Sequence, residues 1–126
     1  MNALIQEWIK KAEGDFVSAT GLLGLELDNV SDSICFHCQQ CVEKYMKAYL
    51  QSQAIEFSRT HDLIELLSLC KQGDDSFSTL LPHLQALNSY SVETRYPGRF
   101  TSLEEAQGAV ETMKTARDFI RPKMGL

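Results

Sequence analysis

Cys35, Cys38 and Cys41 recur at every third residue around His37, a density of thiols and imidazole that raises metal or redox chemistry. Zinc knuckles do use C-x-x-C, but on a turn where backbone N–H groups face the sulfurs. Here the spacing lies inside a long helical pattern, a second C-x-x-C is missing, and Cys70 sits near the end of another helical segment. The expectation is therefore small core residues, with neither a metal site nor a cofactor.

His37, Gln40, Lys44 and Lys47 form a polar stripe on one flank of the same segment, His37 and Lys44 being adjacent in helical projection. Two readings stay open: a solvated face with Glu43 and Glu56 nearby, or His37 and Lys44 lining a groove for an anion such as phosphate. In Phe57-Ser58-Arg59-Thr60-His61-Asp62-Leu63, Thr60 can cap a helix and Asp62 suits its first turn. Arg59 beside the free N–H groups of that helix is an anion-binding arrangement, and His61 can equally fasten the loop to a neighbouring helix. Thr94-Arg95-Tyr96-Pro97-Gly98-Arg99-Phe100 sets two arginines and two aromatics in one loop. Arg95 and Tyr96 can pair a phosphate and stack a base; alternatively Tyr96 and Phe100 plug the bundle end while the arginines pair with surface acids. Arg117 falls in an apolar arc, where it needs an acidic partner or a mouth through which to snorkel; snorkelling at the helix end is expected. No hydrolase elbow, phosphate loop or H-E-x-x-H is present, so no catalytic residue is assigned.

The elements that position these residues read as helices throughout. From about Asn2 to Leu23, Ile5, Trp8, Ile9, Ala12, Phe16, Ala19 and Leu23 fall in one stripe about 100° wide. A second helix, capped by Ser31 or Asp32 and reaching about Gln53, has apolar residues on two faces and is expected to be central, or central on one face with an oligomer contact on the other. A third starts after Thr60 and ends at Lys71-Gln72-Gly73-Asp74-Asp75. The fourth runs from about Ser78 to Ser91 with Pro82 in its first turn. Thr101-Ser102-Leu103-Glu104 reads as a capping box opening the last helix, which Pro122 stops. Short connections between helices of this length predict an antiparallel up-and-down bundle of about five helices, all-α, forming a single domain over residues 1–126.

Composition fits that reading. With 44% hydrophobic residues and 126 positions, the chain can bury one core and no more. A net charge of −5 excludes the general positive field of a non-specific DNA binder, though not a local basic patch. No apolar run is long enough to span a membrane. The first residues lack the basic start and apolar core of a signal peptide, so a cytoplasmic location with reduced thiols is expected.

Three stretches together resemble a known family: Ile34 through Leu50 (ICFHCQQCVEKYMKAYL), then Arg59-Thr60-His61-Asp62-Leu63, then Arg95-Tyr96-Pro97. With Trp8 and Ala12 to Phe16 ahead of them, they look like the HEPN domain (higher eukaryotes and prokaryotes nucleotide-binding), over nearly the whole chain. In that family the places of Cys38 and Cys41 are commonly small residues, which implies packing. The resemblance implies a helical bundle, often a homodimer, with stand-alone members frequently paired with a minimal nucleotidyltransferase in toxin–antitoxin-type modules. Many relatives are metal-independent ribonucleases carrying an arginine, four to six residues, then a histidine. This chain departs from that motif: one residue separates Arg59 from His61, and no histidine follows Arg95.

The expected function is thus a non-catalytic binding module for a nucleotide or a nucleotidyltransferase partner. Arg59, His61, Arg95 and Tyr96 are its ligand-facing candidates, with His37 and Lys44 beside them. The alternatives are a ribonuclease toxin and a helical oligomerisation domain without a ligand.

Overall fold

Residues 1–91 and 97–126 are described in the computed structural model of the chain. Among them the fold is all-α: α1 (Ala3–Leu23), α2 (Ser31–Ser52), α3 (Leu63–Gly73), α4 (Leu81–Leu87) and α5 (Leu103–Ile120). Asn2 starts α1 by accepting the Ile5 N–H on its side chain at 2.9 Å. Ile5, Ala12 and Ala19 then go inside at seven-residue steps, with Ile9 and Phe16 packed alongside.

The apolar residues on both faces of α2 put it at the centre. Ile34, Cys38, Val42, Tyr45 and Tyr49 are buried on one side, and Cys35, Met46 and Leu50 elsewhere around it. It packs on α1, α3 and α5. Each buried aliphatic or aromatic side chain contributes about 1.5–3 kcal/mol. The α1–α2 pair is antiparallel, since Glu13 meets Tyr45 and Asp15 meets His37.

The end of α2 decides where the candidate residues go. Gln53 closes the helix, Ala54 takes φ of 55°, and the Ile55 N–H returns to the Leu50 carbonyl at 3.0 Å while Ala54 N–H bonds Gln51. This is a left-handed helix stop of the Schellman type. It turns the chain back along α2, so that residues 55–62 lie over the middle of that helix. α3 then leaves from beside Glu43, where His61 is bonded, and ends beside Tyr49.

Three helix starts differ from the sequence-based expectation. The Ser31 N–H bonds the Asp28 carbonyl of a preceding 3-10 turn, so neither Ser31 nor Asp32 caps α2. Asp62, not Thr60, caps α3, accepting from Ile64 and Glu65; the Thr60 hydroxyl instead accepts the Asp62 N–H. Ser102 caps α5 and accepts from Glu105, one register later than Thr101 and Glu104. Thr101 is unavailable because its N–H and hydroxyl both donate to Asp32 Oδ1 at 2.8 Å. The fourth helix is α only over Leu81–Leu87, between 3-10 turns at Asp75–Leu80 and Asn88–Ser91. Pro82 has no N–H to return to the preceding turn, so the α ladder opens only at this point. Leu80, Leu84 and Leu87 are buried, as their spacing predicts.

Ala54 holds a conformation in which its Cβ costs energy that glycine does not incur. Ala54→Gly is expected to stabilise the chain by about 0.5–1 kcal/mol. A higher Tm on thermal unfolding checks this; a lower Tm would contradict the left-handed stop.

Candidate functional site

Gln40 lies three and four residues before Glu43 and Lys44, and Lys47 four and three after them, so the four share one face of α2. The return segment lays Phe57, Ser58, Arg59 and His61 across that face, and Trp8 of α1 closes the remaining side. The result is a groove of about 500 Å³. Its floor is a charged group: Glu43 is only 2% exposed, and a buried carboxylate is costly unless donors surround it. Donors do surround it. Lys47 Nζ lies 3.1 Å from Oε2, His61 Nδ1 3.0 Å from Oε1, and the amides of Gln39 and Gln40 at 3.3 and 3.4 Å from Oε1. Gln39 also donates to the His61 carbonyl at 3.0 Å, fixing the backbone of the return segment.

The walls are aromatic. Trp8 and Phe57 meet edge to face with ring centroids 6.3 Å apart. The buried Lys47 ammonium stands 5.6 Å from the Trp8 centroid and 6.0 Å from that of Phe57. The rim is polar: the His61 side chain is 65% exposed, Arg59 is exposed, and Lys44 is partly so. Lys44 is held from outside by Asp15, whose Oδ2 accepts its ammonium at 2.6 Å, while Asp15 Oδ1 contacts His37 Nδ1 at 2.8 Å. The far end of the return segment is pinned by Asn88, which accepts the Leu63 N–H and donates to Asp62.

Arg59, His61 and Lys44 are thus brought together, and His37 reaches the groove only through Asp15. Arg95 and Tyr96 lie outside the described residues. Trp8, Glu43, Lys47 and Phe57 are site residues that sequence reasoning did not select. Trp8 reads as one more member of an apolar stripe, and Glu43 as part of a solvated face, where it is in fact buried. The usable signal was the Gln40-Glu43-Lys44-Lys47 spacing.

Arg117 does not snorkel. It makes a bidentate pair with Glu13 through Nε at 2.8 Å and Nη2, and its guanidinium stacks 4.2 Å from the Phe16 ring. The Arg117 hydrogen bond holds the Glu13 carboxyl below its usual range despite partial burial. The fully buried Tyr45 hydroxyl donates to Glu13 at 2.7 Å and accepts from Arg121 at 2.7 Å. Burial, then the bond to Glu13, push the Tyr45 phenol up to about 12. This cluster fastens α1, α2 and the end of α5 and does not line the groove. Phe100 is 81% exposed and plugs nothing, while Arg99 approaches Glu105 at 3.7 Å.

The four cysteines are free and buried. Burial pushes the Cys35 thiol up to about 11 and that of Cys70 to about 12, and those of Cys38 and Cys41 higher still. Thiolates, the form that binds metal, are suppressed at neutral pH. Among the described residues no group of three His, Cys, Asp or Glu is arranged to hold a metal, and no helix is long and apolar enough to cross a membrane.

The HEPN domain model matches residues 5–123. The chain belongs to the HEPN domain family. It is 31% identical to "Putative toxin MJ1304" of Methanocaldococcus jannaschii, over 94% of this chain and 90% of that protein. Two crystal structures share the fold. TT1696 from Thermus thermophilus superposes with a TM-score of 0.80 at 21% identity, covering 94% of this chain and 97% of the other. ST0689, described as an archaeal HEPN homologue, gives 0.72 at 23% identity, covering 94% and 96%. The HEPN bundle thus accounts for the fold, and the groove is described from this chain's own residues.

Thiol burial has a direct readout. In native protein all four cysteines are expected to react with Ellman's reagent at least about a hundredfold slower than in the unfolded chain. One thiol reacting at the unfolded rate in folded protein would contradict the core assignment.

Proposed function

We propose that this HEPN domain is a binding module whose groove takes a nucleotide, the base against Trp8 and Phe57 and the phosphate against Arg59 and Lys44. The observation that carries the reading is the convergence of an aromatic pair and three cations, Lys44, Lys47 and Arg59, on one groove. Base–aromatic stacking contributes about 1–3 kcal/mol per base. An arginine fork adds a bidentate contact to phosphate, and Arg59 sits on the rim where a ligand enters. The chain acts, on this reading, in the cytoplasm as a homodimer and in a toxin–antitoxin-type pair with a minimal nucleotidyltransferase. The HEPN resemblance and the toxin name of the archaeal relative support that setting. Co-expression with a nucleotidyltransferase encoded beside it tests the partnership through recovery of a complex.

A second reading, a metal-independent ribonuclease, is favoured by one feature. His61 is oriented by the buried Glu43 carboxylate and is otherwise open to solvent, as a general acid or base must be. Cleavage of RNA in EDTA that disappears in His61→Ala would favour this reading, and RNA left intact would remove it.

Isothermal titration with AMP, GMP and UMP is expected to give dissociation constants on the order of 100 μM or tighter for at least one of them. Arg59→Ala and Trp8→Ala should each weaken binding by about tenfold or more. Absence of heat with every nucleotide would overturn the proposal.

A further inference from the structure

Taking the groove as a nucleotide site, as proposed above, we infer that it selects ligands with a single phosphate, a nucleoside monophosphate or one phosphodiester unit of a strand, over triphosphates. The charges around the groove carry this. Lys44 is bound by the nearly buried Asp15 at 2.6 Å, and Lys47, its side chain only 7% exposed, by Glu43 at 3.1 Å. Arg59 is exposed, and among the described residues no carboxylate forms an ion pair with it. Three cations set against two carboxylates leave one net positive charge, and it sits on Arg59.

Lys47 has no freedom to follow a longer ligand, because it is buried between Glu43 and the two ring faces. The two depressions that share a wall with the groove bring no unpaired cation to further phosphates. Beyond Phe57 a second depression is lined by Gln51, Ala54, Ile55 and Glu56, where the one charge is negative. On the α1 side, Lys11 is paired with Glu7 at 3.8 Å beside Trp8. A phosphodiester unit carries one negative charge, which Arg59 balances; a phosphate monoester carries about 1.5 to 2 at neutral pH, of which Arg59 balances one. The further charges of a triphosphate find acids or cations already in use.

The test is titration of the full chain with AMP, ADP, ATP and a dinucleoside monophosphate at fixed ionic strength, without divalent cations. ATP is expected to bind no more tightly than AMP. Affinity rising about fivefold or more with each added phosphate, the upper range for one new exposed ion pair, would overturn the selectivity while leaving nucleotide binding intact. No binding of any of the four would instead remove the underlying reading. Tight binding of the dinucleotide assigns the phosphate to a strand, and binding of AMP alone assigns it to a free nucleotide; both support a one-phosphate site. Asp15→Asn releases Lys44, so the ratio of ATP to AMP affinity should rise about fivefold. Asp15→Ser, which also releases Lys44, serves the same purpose should Asp15→Asn not fold. An unchanged ratio in a folded variant would contradict the charge account.

Discussion

A carboxylate buried in the middle of α2 is the constraint on which the rest of the site depends. Glu43 is tolerated there only because an ammonium, an imidazole and two amides converge on it. Three of those donors, Lys47 and the amides of Gln39 and Gln40, come from α2 itself, at the three- and four-residue steps that make them neighbours of Glu43. The imidazole has to come from elsewhere in the chain, and His61 supplies it. That bond, with the Gln39 bond to the His61 carbonyl, holds residues 55–62 over the helix, and the left-handed stop at Ala54 makes the reversal possible. A groove walled by Trp8 and Phe57 is the consequence.

A second polar layer ties α1 to its neighbours. Asp15 and Glu13 of α1 bind partners on α2, on α5 and just beyond its end, including Lys44, Tyr45, Arg117 and Arg121. Ion pairs of this kind contribute modestly to net stability, since much of the attraction offsets desolvation. Their effect here is positional: they fix how α1 slides against α2. Trp8 therefore arrives beside Lys47, and Lys44 is turned toward the groove while being partly neutralised. The same residues hold the bundle together and line the groove, so this HEPN bundle assembles a cationic, aromatic groove.

The helices were legible in the sequence because burial enforces a 3.6-residue period, and the stripes of α1, α2 and α5 follow it closely. The reading of Cys38 and Cys41 as packing residues follows from the same period, because both fall in the apolar arc of α2. Caps were less legible. Ser31, Thr60 and Thr101 have the right chemistry, but tertiary partners or a preceding 3-10 turn determine which hydroxyl is free to cap. Within the site, Arg59 and His61 stand out because basic residues beside a helix start suggest anions, and Lys44 because it shares a polar stripe with His37. Glu43 and Lys47 do not, since nothing local distinguishes a buried i, i+4 ion pair from a solvated one. Trp8 was hidden in plain periodicity: its position matches the core stripe, while its ring faces the groove. What separates those cases is the course of the return segment, a long-range fact that periodicity does not contain.

The central claim is that nucleotide binds in the groove walled by Trp8, and the chain's single tryptophan makes that directly measurable. Intrinsic fluorescence of the wild-type protein during titration with AMP should change with saturation, tracking the binding isotherm measured by calorimetry, because a base stacking on or beside the indole alters its surroundings. Calorimetric binding without any change in tryptophan emission would contradict the account and move the ligand elsewhere on the bundle.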